Sequence, residues 1–262
     1  MLHTLFRFRR PLVIALSCTL LLAMSLPLTI LPRTAFADDI NPGVLAIDAT
    51  LDGLTYGQWS AKWWQWAFLQ TTFDNCPNES GPVWFLAAPT HTDCTVPPQT
   101  NIMFPTFNVE WSVEEAKAQE AHTGGTTSCP LPDINGNTIT GEDYASLSAC
   151  AIAFAQHATA PHARLTAQVD GVKLKQLTNY RALSPAPPFT FTAVEGNPFG
   201  LHAGPSQAVA DGFWIILGPQ PLSAGKHTID FAATVPFPEL GFTFTTGANY
   251  CLIVQPSSQT CP

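Results

Sequence analysis

Leu165-Thr166-Ala167-Gln168-Val169-Asp170-Gly171-Val172-Lys173-Leu174-Lys175-Gln176-Leu177 is the stretch whose reading decides the fold. Leu165, Ala167 and Val169 alternate with polar residues, the period of a strand with one buried face. Asp170-Gly171 has the composition of a two-residue hairpin turn, and 172–177 returns from it as a second strand. Working outward toward the C-terminus, strands are predicted at 189–194, 213–217, 227–233, 242–245 and 250–255. Turn residues separate them at 184–188, 196–198, 219–225 and 247–249. Strands at this spacing predict an antiparallel β-sandwich, of jelly-roll or immunoglobulin-like type, rather than alternating βαβ units.

Working toward the N-terminus, helices join the strands, so the class is mainly β with added helices (α+β). Thr55-Tyr56-Gly57-Gln58 has capping-box form and opens a helix carrying Trp59, Trp63, Trp64 and Trp66. Strands are predicted at 82–88 and 102–109, the second with an edge position or bulge at Pro105. A helical insertion follows around 112–158. Ser112-Val113-Glu114-Glu115 is a second capping box, and Gly124-Gly125 stops that helix. Another helix is predicted over 141–157, with Tyr144, Leu147, Ala151 and Phe154 as its buried stripe.

The chain has 262 residues, of which 46% are hydrophobic and 11% charged. A charged share so far below the roughly 25% of ordinary domains excludes a disordered acidic chain. Eleven basic against nineteen acidic residues exclude a nucleic-acid binder that works through positive charge. Residues 1–37 read as an export signal: Arg7, Arg9 and Arg10, an apolar run over 12–30, and Ala35-Phe36-Ala37 as the cleavage pattern. Its removal takes Arg7, Arg9, Arg10 and Arg33 and no acid. The mature chain, 38–262, is then expected to be one exported, strongly acidic domain that is not held in a membrane.

Six cysteines remain after cleavage: Cys76, Cys94, Cys129, Cys150, Cys251 and Cys261. An even count in an exported chain predicts disulfides, and the three sequential pairs each close a short loop. The pairing expected is Cys76–Cys94, Cys129–Cys150 and Cys251–Cys261. No C-x-x-C is present, which argues against zinc.

The segments 56–66 (YGQWSAKWWQW), 81–86 (GPVWFL), 211–214 (DGFW) and 225–229 (GKHTI) together resemble a group of exported bacterial and archaeal proteins. The closing stretch 221–254 also resembles the last strands of immunoglobulin-like sandwiches. Neither likeness implies an activity or a set of catalytic residues.

Candidate sites are few. The Trp helix is first a core element by its spacing; read as a stacking platform for sugar rings, it offers Trp64 and Trp66 as the exposed candidates. Asp133-Ile134-Asn135-Gly136-Asn137 with Asp143 resembles an EF-hand or dockerin calcium loop, one residue short, making Asp133, Asn135, Asn137 and Asp143 the candidate ligands. Calcium is therefore the one cofactor considered. His157, His162 and His202 form a less specific metal candidate. Asp170 and Asp211 each precede a glycine and read as turn formers, His227 reads as a turn-stabilising residue, and Asn78-Glu79-Ser80 is a glycosylation sequon. Hydrolase signatures such as G-x-S-x-G and H-E-x-x-H are absent from the sequence. The function expected is an extracellular binding module, with a carbohydrate or an envelope component as partner. The alternatives are a polysaccharide-acting enzyme and a structural envelope protein.

Overall fold

The computed structural model describes residues 41, 43–73, 76, 81–88, 90–218 and 222–261; the export segment and the sequon fall outside these described residues. In chain order they run α1 (Tyr56–Ala67), β1 (Val83–Phe85), β2 (Thr90–Val96), β3 (Asn101–Ser112), α2 (Val113–Thr123) and α3 (Tyr144–Gln156). There follow β4 (Arg164–Val169), β5 (Val172–Lys173), β6 (Phe189–Ala193), β7 (Gly204–Leu217), β8 (Gly225–Phe237) and β9 (Phe242–Val254). The described residues are thus mostly β with three α-helices. All described residues belong to one compact unit, Arg33–Pro262.

The strands form two sheets, a four-stranded one in the order β1-β3-β7-β6 and a five-stranded one in the order β2-β9-β8-β4-β5. Most pairings are antiparallel, but β1–β3 and β2–β9 are parallel, which corrects the expectation of a purely antiparallel architecture. The cause is topological. The chain leaves the first sheet after β1, enters the second as β2 and returns as β3, so β1 and β3 point the same way. Alternation of polar and apolar residues does not encode strand direction.

The decisive hairpin forms. Asp170 and Gly171 both take positive φ, 50° and 77°, as a two-residue hairpin turn requires. Its second arm is shorter than expected: after Lys173 the chain turns off through Gln176 (φ 52°) into a 3₁₀ turn at Leu177–Tyr180. Conversely, 247–249 is no turn, because β9 runs straight through it. Gly247 faces Ala232 across the pair, and a Cβ there would stand 3.2 Å from the Ala232 Cβ. The glycine serves close packing rather than chain reversal. Pro105 marks a bulge, as expected, with the register against β7 shifting between Pro105 and Phe107.

Side chains of both sheets meet in one hydrophobic core, where Phe104 of β3 stacks on Phe231 of β8 at 4.9 Å. The opposite face of the four-stranded sheet carries α1, with Trp63 5.4 Å from Trp214 of β7. Both capping boxes are made, Thr55 with Gln58 and Ser112 with Glu115, and Gly124 closes α2 in the left-handed conformation (φ 75°). The helix α3 starts at its Asp143 cap and packs on the inter-sheet side against Phe107, Phe213 and Val235.

All three expected disulfides are present, Cys76–Cys94, Cys129–Cys150 and Cys251–Cys261. They point to an oxidising compartment. Among the described residues no helix is long and apolar enough to cross a membrane.

Candidate functional site

The tryptophans of α1 are mostly sealed. Trp59, Trp63 and Trp64 are 5%, 2% and 5% exposed. Trp59 and Trp63 donate their indole N–H groups to the carbonyls of Leu51 and Leu86. The buried Trp64 indole nitrogen has no partner, and its ring lies against Phe68 and Phe199 at 5.4 and 5.0 Å. The expectation that Trp64 presents a stacking face outward is therefore corrected: hydrophobic burial claims that face. Trp66 is half-buried, wedged among Trp63, Phe73 and Phe85, and borders a groove of about 520 Å³ with Lys62, Gln65 and Leu69. Each buried indole removes about 150–250 Å² from water, on the order of 4–6 kcal/mol of transfer free energy as an upper bound.

Two carboxyls are withdrawn from the surface, Glu110 buried and Glu115 half-buried. Glu110 of β3 is 9% exposed, its Oε2 finds no donor, and burial pushes its pKa well above the usual carboxylate range. The neighbouring negative charge of Glu115 pushes it further, and the two side chains share a hydrogen bond. Burial raises Glu115 as well, against the lowering effect of its hydrogen bonds from the Ser112 backbone N–H (2.9 Å) and hydroxyl (2.7 Å). The reason these residues meet is local: Glu115 is the capping-box acid of α2, and Glu110 ends the strand that feeds it.

The other anticipated residues have structural partners. Both oxygens of Asp133 accept hydrogen bonds from its own loop, Oδ1 from the N–H groups of Asn135 and Asn137, Oδ2 from the Asn137 amide at 3.0 Å. Those bonds lower its pKa. Asp143 accepts the Ser146 N–H at 2.8 Å as the α3 cap, which lowers its pKa too. Asn135 and Asn137 are exposed in the same loop. His157 lies 3.8 Å from Glu239 and His202 2.6 Å from Glu114, and among the described residues the three candidate histidines form no common ligand set. Asp93 is within reach of the Cys251 and Cys261 sulfurs, but these are bonded to each other.

Asp211 is not a turn former. It lies 1% exposed within β7, where Arg181 donates to both of its oxygens over 2.6–3.2 Å. Gly212 follows it because a Cβ there would stand 2.7 Å from the Phe107 carbonyl. Asp170 does form the hairpin turn, and His227 braces it, contacting Asp170 at 2.7 Å and the Ser223 carbonyl at 2.9 Å.

The open chemistry lies on the outer face of the five-stranded sheet. Register places Lys173 (β5), Gln168 (β4), Asp230 (β8) and Asn249 (β9) in one row across four strands. The next row holds Thr228, Cys251 and Asp93. On the other side lie Thr166, Ala232 and Gly247. Gln168 donates its amide to Asp230 Oδ2 at 2.7 Å, and Asn249 donates to Oδ1. Two hollows of about 350 and 580 Å³ meet at Gln168, Asp230 and Asn249. The Cys251–Cys261 disulfide and a bond from the Lys226 N–H to Gln259 hold the C-terminal tail at one end of this face.

Apart from Cys251 and Cys261, none of these residues stood out in the sequence. Asn249 falls in a stretch read as a turn, and Asp230 and Gln168 are ordinary outward positions of strands. The only available signal was the outward alternation Thr228, Asp230, Ala232. Comparison with protein-family models, with curated proteins and with solved structures returned no match.

Proposed function

We propose that this chain is an exported, disulfide-braced binding module for carbohydrate, built as a β-sandwich in a single mature domain that follows cleavage of residues 1–37. The sandwich reading is supported by the core that the two sheets share and by the Phe104–Phe231 stack within it. Export is supported by the signal pattern together with three disulfides.

One observation carries the binding reading: the cross-strand row on the outer sheet face gathers hydrogen-bonding groups at an open hollow. Its cysteine is oxidised and so supplies no thiol nucleophile. Glu110 and Glu115, whose pKa values burial raises, do not line these hollows. Hydrolysis of a polysaccharide is the competing reading, because Asp93 and Asp230 both border the larger hollow. The test incubates the mature, oxidised protein with a panel of soluble oligosaccharides and follows binding and reducing-sugar release together. Saturable binding without release is expected. Release that is lost in Asp93→Asn or Asp230→Asn overturns the binding reading in favour of an enzyme.

A further inference from the structure

The geometry points to a specific ligand class and seat: a neutral glycan held on the row Lys173–Gln168–Asp230–Asn249. This rests on the reading of the chain as a binding module and adds where the ligand sits and what charge it carries.

Asp230 is the organising residue. An ionised carboxylate only accepts hydrogen bonds, so the amides of Gln168 and Asn249 must both turn their nitrogens toward it. Their carbonyl oxygens, and the second N–H of each amide, are thereby turned away from Asp230. The row thus presents acceptors and donors side by side in orientations set before any ligand arrives, which lowers the ordering cost of binding. A sugar hydroxyl both donates and accepts, and a chain of such groups matches this alternation. Thr228 and the lysine ammonium groups extend the donor set toward the edges.

Charge decides between glycan classes. Asp93 and Asp230 are matched by Lys173 and Lys226 among the residues lining the two hollows, so this lining carries no net charge. An acidic polysaccharide or a nucleic acid would gain no general attraction there. The outward side chains described on these rows are polar or small, and Leu165, Leu174 and Phe231 add apolar lining to the hollow beside Ala232, suited to the C–H face of a sugar ring. Ala232 and Gly247 keep one end of the face low, while the disulfide-held tail bounds the other. The combined hollow falls in the size range of small-molecule sites.

The test measures calorimetric binding of neutral oligosaccharides (β-glucan, xylan, mannan and chitin fragments) and of heparin and polygalacturonate fragments to the mature, oxidised protein. It compares wild type with Asp230→Ala, Asn249→Ala and Trp66→Ala. Expected is binding of at least one neutral fragment, weakened about tenfold or more by Asp230→Ala and by Asn249→Ala, with melting temperatures held and Trp66→Ala neutral. Wild-type binding that survives both outer-face changes overturns the seat while leaving the module reading standing. Binding confined to the acidic fragments overturns the ligand class in the same way. No binding of either class overturns both.

Discussion

The Trp helix and the outer face of the five-stranded sheet are opposites in composition and in fate. The helix concentrates four indoles in eight residues, and the structure spends three of them on the core. The sheet face holds amides, threonines, two carboxylates and two lysines, unremarkable one by one, yet pairing across four strands sets them in rows at an open hollow. Aromatic density marks where water must be excluded; recognition chemistry needs polar groups whose orientation is already settled. The same contrast separates two acids. Glu110, on the sheet face that α1 covers at Trp214, has no donor at Oε2 and its pKa is raised by burial. Asp230, on the other sheet's open face, has two amide donors.

Three measurements break or sharpen that contrast. The largest effect is expected from Trp63→Ala, which opens a cavity between α1 and Trp214 and should cost about 3–5 kcal/mol in chemical denaturation. Asn249→Ala, on the open side, should stay within about 0.5 kcal/mol. Similar losses in the two variants would erase the distinction between sealed and open regions.

Next comes the pH dependence of stability. The folded-state pKa of Glu110 lies above its unfolded value, so the native state binds more protons than the unfolded chain between the two values. Its contribution is therefore present below the usual glutamate value near 4.5 and is lost as pH rises from there through the raised pKa. Each unit of that rise is equivalent to about 1.4 kcal/mol. Glu115 acts in the same direction. Glu110→Gln keeps the shape without the titration, so its melting temperature should fall less than wild type between pH 5 and pH 8. Parallel curves would show that Glu110 is not the group concerned. Asp133 and Asp143 act at the acid end, their contribution being lost as pH falls below the usual aspartate value near 3.8 through their lowered pKa values.

The smallest effect belongs to the Asp133 loop. Its carboxylate already takes three donors from within the loop, so melting with millimolar calcium and with a chelator should coincide. A bound ion at a thousand times its Kd would add about 4 kcal/mol. A chelator-sensitive shift would restore Asp133, Asn135, Asn137 and Asp143 as a cation site.

Local signals were legible in the sequence wherever one short segment contains the whole cause. The capping boxes at Thr55 and Ser112, the Asp170-Gly171 turn, the Pro105 bulge and the three short disulfide loops all formed as their residues required. Gly247 and Gly212 misled because a glycine beside a polar residue looks the same whether it reverses the chain or admits a neighbour's backbone. Asp211 misled for the same reason, and its Arg181 partner lies thirty residues upstream in a different element.

What the sequence by itself determined is the menu of elements and which face of each strand is apolar, because periodicity, caps and turns act over a few residues. Only the tertiary structure decided strand direction in β1 and β2, the sealing of Trp64, the burial of Glu110 with its raised pKa, and the row through Asp230. Each of those depends on which distant segments lie side by side, and neither burial nor register exists until the sheets assemble.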